Sequence, residues 1–243
     1  MNASADALAW DELRRVVREL DPALAQRIGA EWARDAQFEH ASIASFGRFA
    51  LELLAVAAPS DLLESAHRAA IDEIEHARLC FSLASIYTGS PLGPGALPLD
   101  ARAFTTPDLL TLTHATVLEG CVNETLAAFE AQTAQAHAGF AAVRGALSAI
   151  ERQESDHASL AFRFVSWAIA VGGARVRQAA RDAFVLAERR IRDAALPESA
   201  DAAAEQALLS HGRMPARRRA ELRRRVLSEV IAPAAQALLR AGE

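Results

Sequence analysis

Two Glu-x-x-His pairs are the residues of this chain whose types and spacing are best suited to chemistry. Glu73 and His76 form the first pair, and Glu154 and His157 form the second. Residues three apart lie on one face of a helix. Each pair can therefore direct a carboxylate and an imidazole at the same point.

A lone glutamate precedes each pair at almost the same distance. The separation of Glu39 from Glu73 differs by a single position from that of Glu119 from Glu154. The doubled arrangement offers four carboxylates and two imidazoles, which predicts a metal site with six ligands. Oxygen and nitrogen donors without thiolate suit iron or manganese.

The elements that must position these residues are predicted to be helices. Aromatic residues make up only 6% of the chain and alanine dominates the apolar set, which favours close-packed helices over sheets. Apolar periodicity predicts an N-terminal cap helix and four long helices over about 23–57, 60–87, 106–136 and 139–171. The sequence therefore predicts an all-α fold, an up-down four-helix bundle of two hairpins joined by a long crossover loop.

Capping residues, proline and glycine set the predicted boundaries. Ser60 and Asp61 are the expected N-cap residues of the second long helix, and Pro107 is expected in the first turn of the third. Gly172-Gly173 is expected to end the fourth helix. Residues 1–172 are thus predicted to form the bundle with its cap helix, and residues 173–243 a C-terminal helical extension packed on it.

Distance from the hairpin turn indicates which glutamate of the third helix is a ligand. With the turn near His137, Glu119 and Glu154 lie almost equally far from it along the chain. Glu124 is nearer to this turn, which leaves it about 6 Å out of level with Glu154 on a regular helix. Glu119 is therefore the predicted ligand, and Glu124 remains a candidate for an additional carboxylate beside the metals.

These motifs resemble those of the ferritin-like carboxylate-bridged di-iron superfamily, which includes rubrerythrin-like and di-iron oxygenase-like bundles. In that superfamily, two helices each provide one glutamate and the other two each provide a Glu-x-x-His. The resemblance covers roughly residues 31–171. It is carried by Phe38-Glu39-His40-Ala41, Asp72-Glu73-Ile74-Glu75-His76-Ala77, Leu118-Glu119-Gly120-Cys121 and Gln153-Glu154-Ser155-Asp156-His157-Ala158.

The resemblance implies a role for each ligand. Glu73 and Glu154 would bridge two metals, and Glu39 and Glu119 would be terminal carboxylates. One imidazole would serve each metal. The predicted metal ligands, which are also the predicted catalytic residues, are Glu39, Glu73, His76, Glu119, Glu154 and His157.

The resemblance also implies which residues surround the ligands. Asp72 occupies the position from which family members hydrogen-bond the histidine of the opposite half, here His157. The matching position in the second half is Gln153, so His76 would lack a charged partner and the two metals would differ in electronic properties. Cys80 stands where the family's radical-generating tyrosine lies and is predicted to be a small wall residue.

The expected cofactor is two iron ions, with two manganese ions or a mixed iron–manganese pair as alternatives. The expected function is an O2-activating oxidase or oxygenase that acts on a small organic substrate. A ferroxidase or another iron-handling protein, and a manganese catalase, are the alternatives. A separate electron donor and a homodimer are left open.

Composition and charge exclude several other classes of function. All 26 basic residues are arginine, so lysine-based Schiff-base chemistry is excluded. The net charge of −5 argues against a nucleic-acid coat. RNA binding by the arginines of 213–225 is disfavoured, because no aromatic residues alternate with them. Cys80 and Cys121 lack zinc or redox spacing, and the N-terminus carries charges, which predicts a cytoplasmic protein. No apolar run predicts a membrane span.

Overall fold

A computed structural model describes residues 3–99, 108–199 and 201–240, and every regular element within these ranges is helical. The all-α prediction is thus confirmed for the described part of the chain. The helices are α1 (Ala3–Glu19), α2 (Pro22–Ala55), α3 (Ser60–Thr88), α4 (Leu109–Thr116), α5 (Thr125–His137), α6 (Ala141–Asp193), α7 (Ala202–Ser210), α8 (Ala216–Val226) and α9 (Ala232–Arg240). Two π-helical segments, Val117–Glu124 and Leu227–Ile231, connect α4 to α5 and α8 to α9.

Two helical hairpins form a bundle. The turn at 56–59 joins α2 to α3, and α4, the first π-helical segment and α5 form one continuous rod that returns into α6 after 138–140. Both α3 and the rod pack against α6, whereas α2 packs mainly against α3. The seam between α2 and the rod is therefore the open side of the bundle.

Capping aspartates explain where two helices of the bundle start. Asp21 accepts a hydrogen bond from the main-chain N–H of Leu24 at 2.9 Å, with Pro22 in the first turn of α2. Asp108 caps α4 in the same way, accepting from the N–H of Thr111 at 2.8 Å. The prediction that Pro107 lies in the first turn of this helix falls outside the described residues.

One predicted boundary is wrong and another is confirmed. Pro59 occupies the N-cap position of α3, and the predicted caps Ser60 and Asp61 lie inside the helix. Gly173, at φ 64° and ψ −148°, is not helical, which confirms the break predicted at Gly172-Gly173; a second helical stretch follows this kink directly, and α6 comprises both stretches. Glycine tolerates this conformation because it has no Cβ. The C-terminal extension also contains a short helix, α7.

A polar layer lies between two apolar clusters in the bundle. Along α3, Ala69 belongs to one cluster and Ala77 to the other, with Glu73 and His76 between them. Along α6, Ile150 and Leu160 flank Glu154 and His157 in the same way. Apolar packing above and below therefore fixes the depth at which these four polar side chains lie.

The C-terminal helices share one of these apolar clusters with the bundle. It includes Phe164 before the kink in α6, Val176 and Ala183 after it, and Leu222 and Ile231 from the later helices. The predicted division at residue 172 stays a prediction. No helix in the described ranges combines the length and apolar character that crossing a bilayer requires.

Candidate metal centre

Five of the six predicted ligands converge in the polar layer. Glu39 comes from α2, Glu73 and His76 from α3, and Glu154 and His157 from α6. The sixth place belongs to Glu124, the last residue of the π-helical segment. Two overlapping sets of side chains have donor atoms within 4.8 Å of one another: Glu39, Glu73, His76 and Glu154 form the first, and Glu73, Glu124, Glu154 and His157 form the second.

Glu73 and Glu154 belong to both sets, and their geometry shows how they are shared. Glu73 places Oε2 3.5 Å from His76 Nδ1 and Oε1 3.4 Å from His157 Nδ1. Glu154 places Oε1 3.6 Å from His76 Nδ1 and Oε2 3.6 Å from His157 Nδ1. Each carboxylate thus presents one oxygen to His76 and the other to His157. A carboxylate that bridged two metal ions would need this arrangement.

Glu39 and Glu124 complete the two ends of the cluster. Glu39 Oε2 lies 3.7 Å from His76 Nδ1, so this carboxylate belongs to the His76 end. Glu124 belongs to the His157 end. Each end therefore has one imidazole, one carboxylate of its own and a share of Glu73 and Glu154.

The structure corrects the assignment of Glu119 as the fourth carboxylate. The Glu119 side chain is 63% exposed and lies 3.7 Å from Arg48 Nη2 of α2, and it belongs to neither set of donor atoms. Glu124, which the sequence analysis retained only as an additional candidate, takes its place.

The position of the hairpin turn explains this correction. The turn was predicted near His137, but α5 extends to that residue and α6 begins at Ala141. The centre of the turn is therefore Gly139, and Glu124 and Glu154 lie equally far from it along the chain. Equal distance from the turn was the criterion that favoured Glu119. With the turn placed correctly, the same criterion selects Glu124.

The close contact of the π-helical segment with α6 depends on Gly120. A Cβ on this residue would lie 2.4 Å from the Cβ of Ala161, far inside contact distance. Glycine thus lets the rod approach α6 closely, four residues before Glu124. The wide π-helical turn itself gave no recognisable signal in the sequence.

A hydrogen-bonded chain links the outer nitrogens of the two imidazoles. His76 Nε2 lies 2.9 Å from Gln153 Oε1, and Gln153 Nε2 donates to Asp72 Oδ1 at 3.0 Å and to Glu75 Oε2 at 3.1 Å. His157 Nε2 lies 3.4 Å from Asp72 Oδ2. The predicted neighbours Asp72 and Gln153 therefore occupy the expected positions, and Glu75 is an additional member that the sequence analysis did not identify.

This chain determines which nitrogen of His76 is available to a metal. Carboxylate oxygens accept hydrogen bonds, so the NH2 group of Gln153 must face Asp72 and Glu75. Its Oε1 therefore faces His76, whose Nε2 must carry a proton and donate it. In the neutral imidazole the lone pair is then on Nδ1, which points into the cluster.

The inward-facing donor atoms lack hydrogen-bond partners in the described chain. Buried atoms left unsatisfied include Glu73 Oε2, His76 Nδ1, Glu154 Oε2 and His157 Nδ1. Buried polar groups without partners are costly and uncommon. The separations of 3.4–3.6 Å between them suit two ligands that share an ion at about 2.1 Å.

The pKa shifts in the metal-free protein reflect burial and mutual proximity. Burial raises the pKa of Glu39 to about 8, against a smaller opposing effect of His76. Burial and the charge of Glu154 raise the pKa of Glu124 well above its ordinary value. Burial also opposes ionisation of Glu73, but attraction to His157 and His76 outweighs it and lowers this pKa to about 2.

Both imidazoles favour the protonated form when no metal is bound. Burial lowers the pKa of His76, but attraction to Glu39 and Glu73 overcomes it and raises the pKa to about 11. Burial likewise lowers the pKa of His157, but attraction to Glu154 and Glu73 overcomes it and raises the pKa to about 9. Protons thus supply the positive charge that a buried group of carboxylates requires, and metal ions could replace them.

A cavity of about 970 Å³ opens onto the cluster through the seam between α2 and the rod. Its lining includes Glu39, Glu73, Glu124, Glu154 and His157. The thiol of Cys80 is buried in the wall, as predicted, and burial, reinforced by the charge of Glu39, raises its pKa well above the usual value. The structure thus brings together a buried carboxylate and histidine cluster that could hold a metal ion, with an adjoining cavity.

Comparisons of the chain with protein-family models, with curated proteins and with solved structures found no significant match.

Proposed function

We propose that the protein is a ferritin-like di-iron oxidase or oxygenase, which activates O2 and acts on a small organic substrate. The observation that carries this proposal is the pair of overlapping ligand sets, which share Glu73 and Glu154 and border the 970 Å³ cavity. A site that served only to stabilise the fold would have no need of such a cavity. A substrate in the cavity would lie directly against the ligands.

The donor set fits two divalent ions of a hard or borderline metal. Four ionised carboxylates carry four negative charges, which two divalent ions neutralise. Carboxylate and imidazole donors suit iron and manganese, and neither ligand set among the described residues includes cysteine. In the reduced state, two irons would supply the electrons with which O2 is activated.

The protein's own residues orient the ligands and control access to them. Gln153 and Asp72 hold the outer nitrogens of His76 and His157, which directs both Nδ1 atoms inward. The ring of Phe46 lies 4.9 Å from the His157 ring and covers it on the cavity side. Because His76 meets a neutral amide and His157 a carboxylate, we expect the two metals to differ in reduction potential.

A ferroxidase is the second candidate, and one observation favours it. Glu52 and Glu119 line the cavity away from the cluster and flank Arg48, at 3.4 Å and 3.7 Å. Carboxylates along an access route could attract Fe²⁺ as a substrate. In that function, iron would pass through the cavity instead of an organic molecule.

Anaerobic loading with Fe²⁺ followed by exposure to O2 tests the proposal. The optical spectrum would be recorded with and without candidate organic molecules, and the Fe²⁺ oxidised per chain would be counted. An oxidase or oxygenase should oxidise two irons per chain, stop until a reductant is added, and convert an organic molecule. Glu154→Gln should abolish the reaction because it removes a shared ligand, whereas Glu64→Gln, on an exposed surface pair with Arg68, should not affect it.

The outcomes separate the candidate functions. Continued oxidation of Fe²⁺ far beyond two per chain, with no organic product, would favour the ferroxidase. Preferential binding of manganese with rapid decay of hydrogen peroxide would favour a catalase. A protein that binds neither metal would rule out all three.

A further inference from the structure

The cavity has both apolar and charged walls. Phe46, Phe49, Leu126 and Leu160 are among the apolar side chains that line it together with the metal ligands. The arginines of its lining are Arg34, Arg48, Arg213, Arg219 and Arg223. A ligand that fills this space should therefore have an apolar body, and its polar group should match the charge of the wall.

Most of the guanidinium charge in this lining is already balanced. Arg213 is held by two carboxylates, Glu31 at 3.3 Å and Asp35 at 2.6 Å. Arg48 likewise lies between two carboxylates. Neither guanidinium offers uncompensated charge to a ligand.

Arg219 and Arg223 differ because they share a single carboxylate. Glu130 of α5 lies 3.2 Å from Arg219 Nε through Oε2 and contacts Arg223 Nε through Oε1. Two guanidinium groups with one carboxylate leave one net positive charge. Arg34 of α2, which also lines the cavity, offsets the second carboxylate beside Arg213, so the excess stays at one positive charge.

The distance from this charge to the metal ligands suits a small molecule. Glu130 follows Glu124 by six residues on the same rod, which corresponds to about 9 Å along a helix. A carboxylate held beside Glu130 would thus place an atom at the other end of a short chain or a single ring at the metal ligands.

We propose that the cavity binds a monocarboxylic acid with an apolar body, whose carboxylate is held by Arg219 and Arg223 and whose body extends to the metal ligands. This inference rests on the proposed function and names the class of its substrate. A planar carboxylate matches the guanidinium fork, and its single charge equals the excess positive charge. A phosphate dianion would leave negative charge unbalanced, and a cation would be repelled.

The test compares 3-phenylpropanoate with 3-phenylpropanamide, which share a body but differ in charge. Binding of each to metal-loaded protein would be measured by calorimetry, after the metal content has been determined separately. The variants are Arg219→Gln and Arg223→Gln. Arg217→Gln is the matched control, because Arg217 also pairs with a glutamate, Glu221 at 3.0 Å, but does not line the cavity.

We expect the wild-type protein to bind the acid about tenfold more tightly than the amide, a difference of about 1.4 kcal/mol. Arg219→Gln and Arg223→Gln should each remove most of this preference, because they should weaken binding of the acid but not of the amide. Arg217→Gln should preserve the preference. Thermal unfolding of each variant would establish that it is folded.

Equal binding of acid and amide, or variants that weaken both alike, would overturn the inference. Acid binding that both variants leave intact would also overturn it, since the carboxylate would then be bound elsewhere, for example directly by the metals. In each of these cases a measured content of two metals per chain would leave the proposed function standing. A chain without metal would remove both.

Discussion

At the residue scale, we propose that the buried groups of the cluster exchange protons for metal ions. In the metal-free protein, the pKa is about 11 for His76, about 9 for His157 and about 8 for Glu39. The pKa of Glu124 is likewise well above its ordinary value. His76, His157 and Glu39 therefore hold protons at pH 7, and each must lose its proton to become a ligand.

Metal binding at pH 7 should accordingly release about three protons per chain, one each from His76, His157 and Glu39. Because the protons compete with the metal, affinity should rise as the pH increases from 6 to 8. Calorimetry with Mn²⁺ in two buffers of different ionisation enthalpy measures the number released. Heats that do not depend on the buffer, together with an affinity independent of pH, would contradict the proposed ligands.

A second prediction at this scale separates two glutamates that lie five residues apart. Glu124→Gln should weaken metal binding at the His157 end by a factor of about 10–100 or more, because changing even a residue that only supports a ligand has an effect of that size. Glu119→Gln should leave metal affinity nearly unchanged, since this side chain is 63% exposed and pairs with Arg48. Metal titration of both variants makes the comparison, and the opposite ranking would restore Glu119 as the ligand.

At the scale of elements, the sequence predicted more of α3 and α6 than of the rod. The Glu-x-x-His pairs are regular α-helical features, and three-residue spacing alone places both of their members on one face. The rod is less regular, because its π-helical segment changes the relation between spacing and face. Glu119 and Glu124 both lie in that segment, and Glu124, in place of the predicted Glu119, belongs to the cluster.

The position of the second hairpin turn accounts for the wrong level predicted for the rod. A displacement of two residues in this turn shifts every residue of the rod by four positions, about 6 Å, relative to α6. Gly172-Gly173 correctly indicated the break in α6, because Gly173 leaves the helical conformation. The helical stretch after this break packs on the same apolar cluster as the end of the stretch before it.

The close approach at Gly120 leads to a prediction for this element. Gly120→Ala should lower the free energy of unfolding by about 1–3 kcal/mol and weaken metal binding, because its Cβ would push the π-helical segment away from Ala161. Adding Ala161→Gly should restore much of both. Denaturant unfolding and metal titration measure the two effects.

Gly145 of α6 provides the control, since a Cβ there would meet no atom within 4 Å. Gly145→Ala should stabilise the protein by up to about 1 kcal/mol, as expected for alanine in a helix. A Gly120→Ala protein as stable as Gly145→Ala, with normal metal binding, would show that the close approach has no importance.

At the scale of the whole molecule, the C-terminal segment joins two helices on either side of the open seam. Arg213 binds Glu31 and Asp35 of α2, while Arg219 and Arg223 bind Glu130 of α5. These contacts span one end of the seam at which the cavity opens. The C-terminal arginines therefore support the bundle on its open side.

Arg213 is the member of this group with the largest expected effect on stability. Its side chain is only 3% exposed, and its guanidinium also lies 4.4 Å from the Trp32 ring. Arg213→Gln should reduce the free energy of unfolding by about 3 kcal/mol, the lower end for a broken buried pair because Asp35 is partly exposed. Arg217→Gln should change it by less than about 0.5 kcal/mol. Denaturant unfolding measures the effect of both substitutions. Equal effects would indicate that the ion pairs of Arg213 contribute no more to stability than an exposed pair does.

The central claim is that two metal ions lie between four carboxylates and two imidazoles. Anomalous diffraction from a crystal soaked anaerobically in Fe²⁺ tests it most directly. Two peaks about 3.5–4 Å apart are expected, both flanked by Glu73 and Glu154, with Glu39 and His76 at one peak and Glu124 and His157 at the other. A map without a peak at these residues, or with iron only at surface carboxylates such as Glu119, would contradict it.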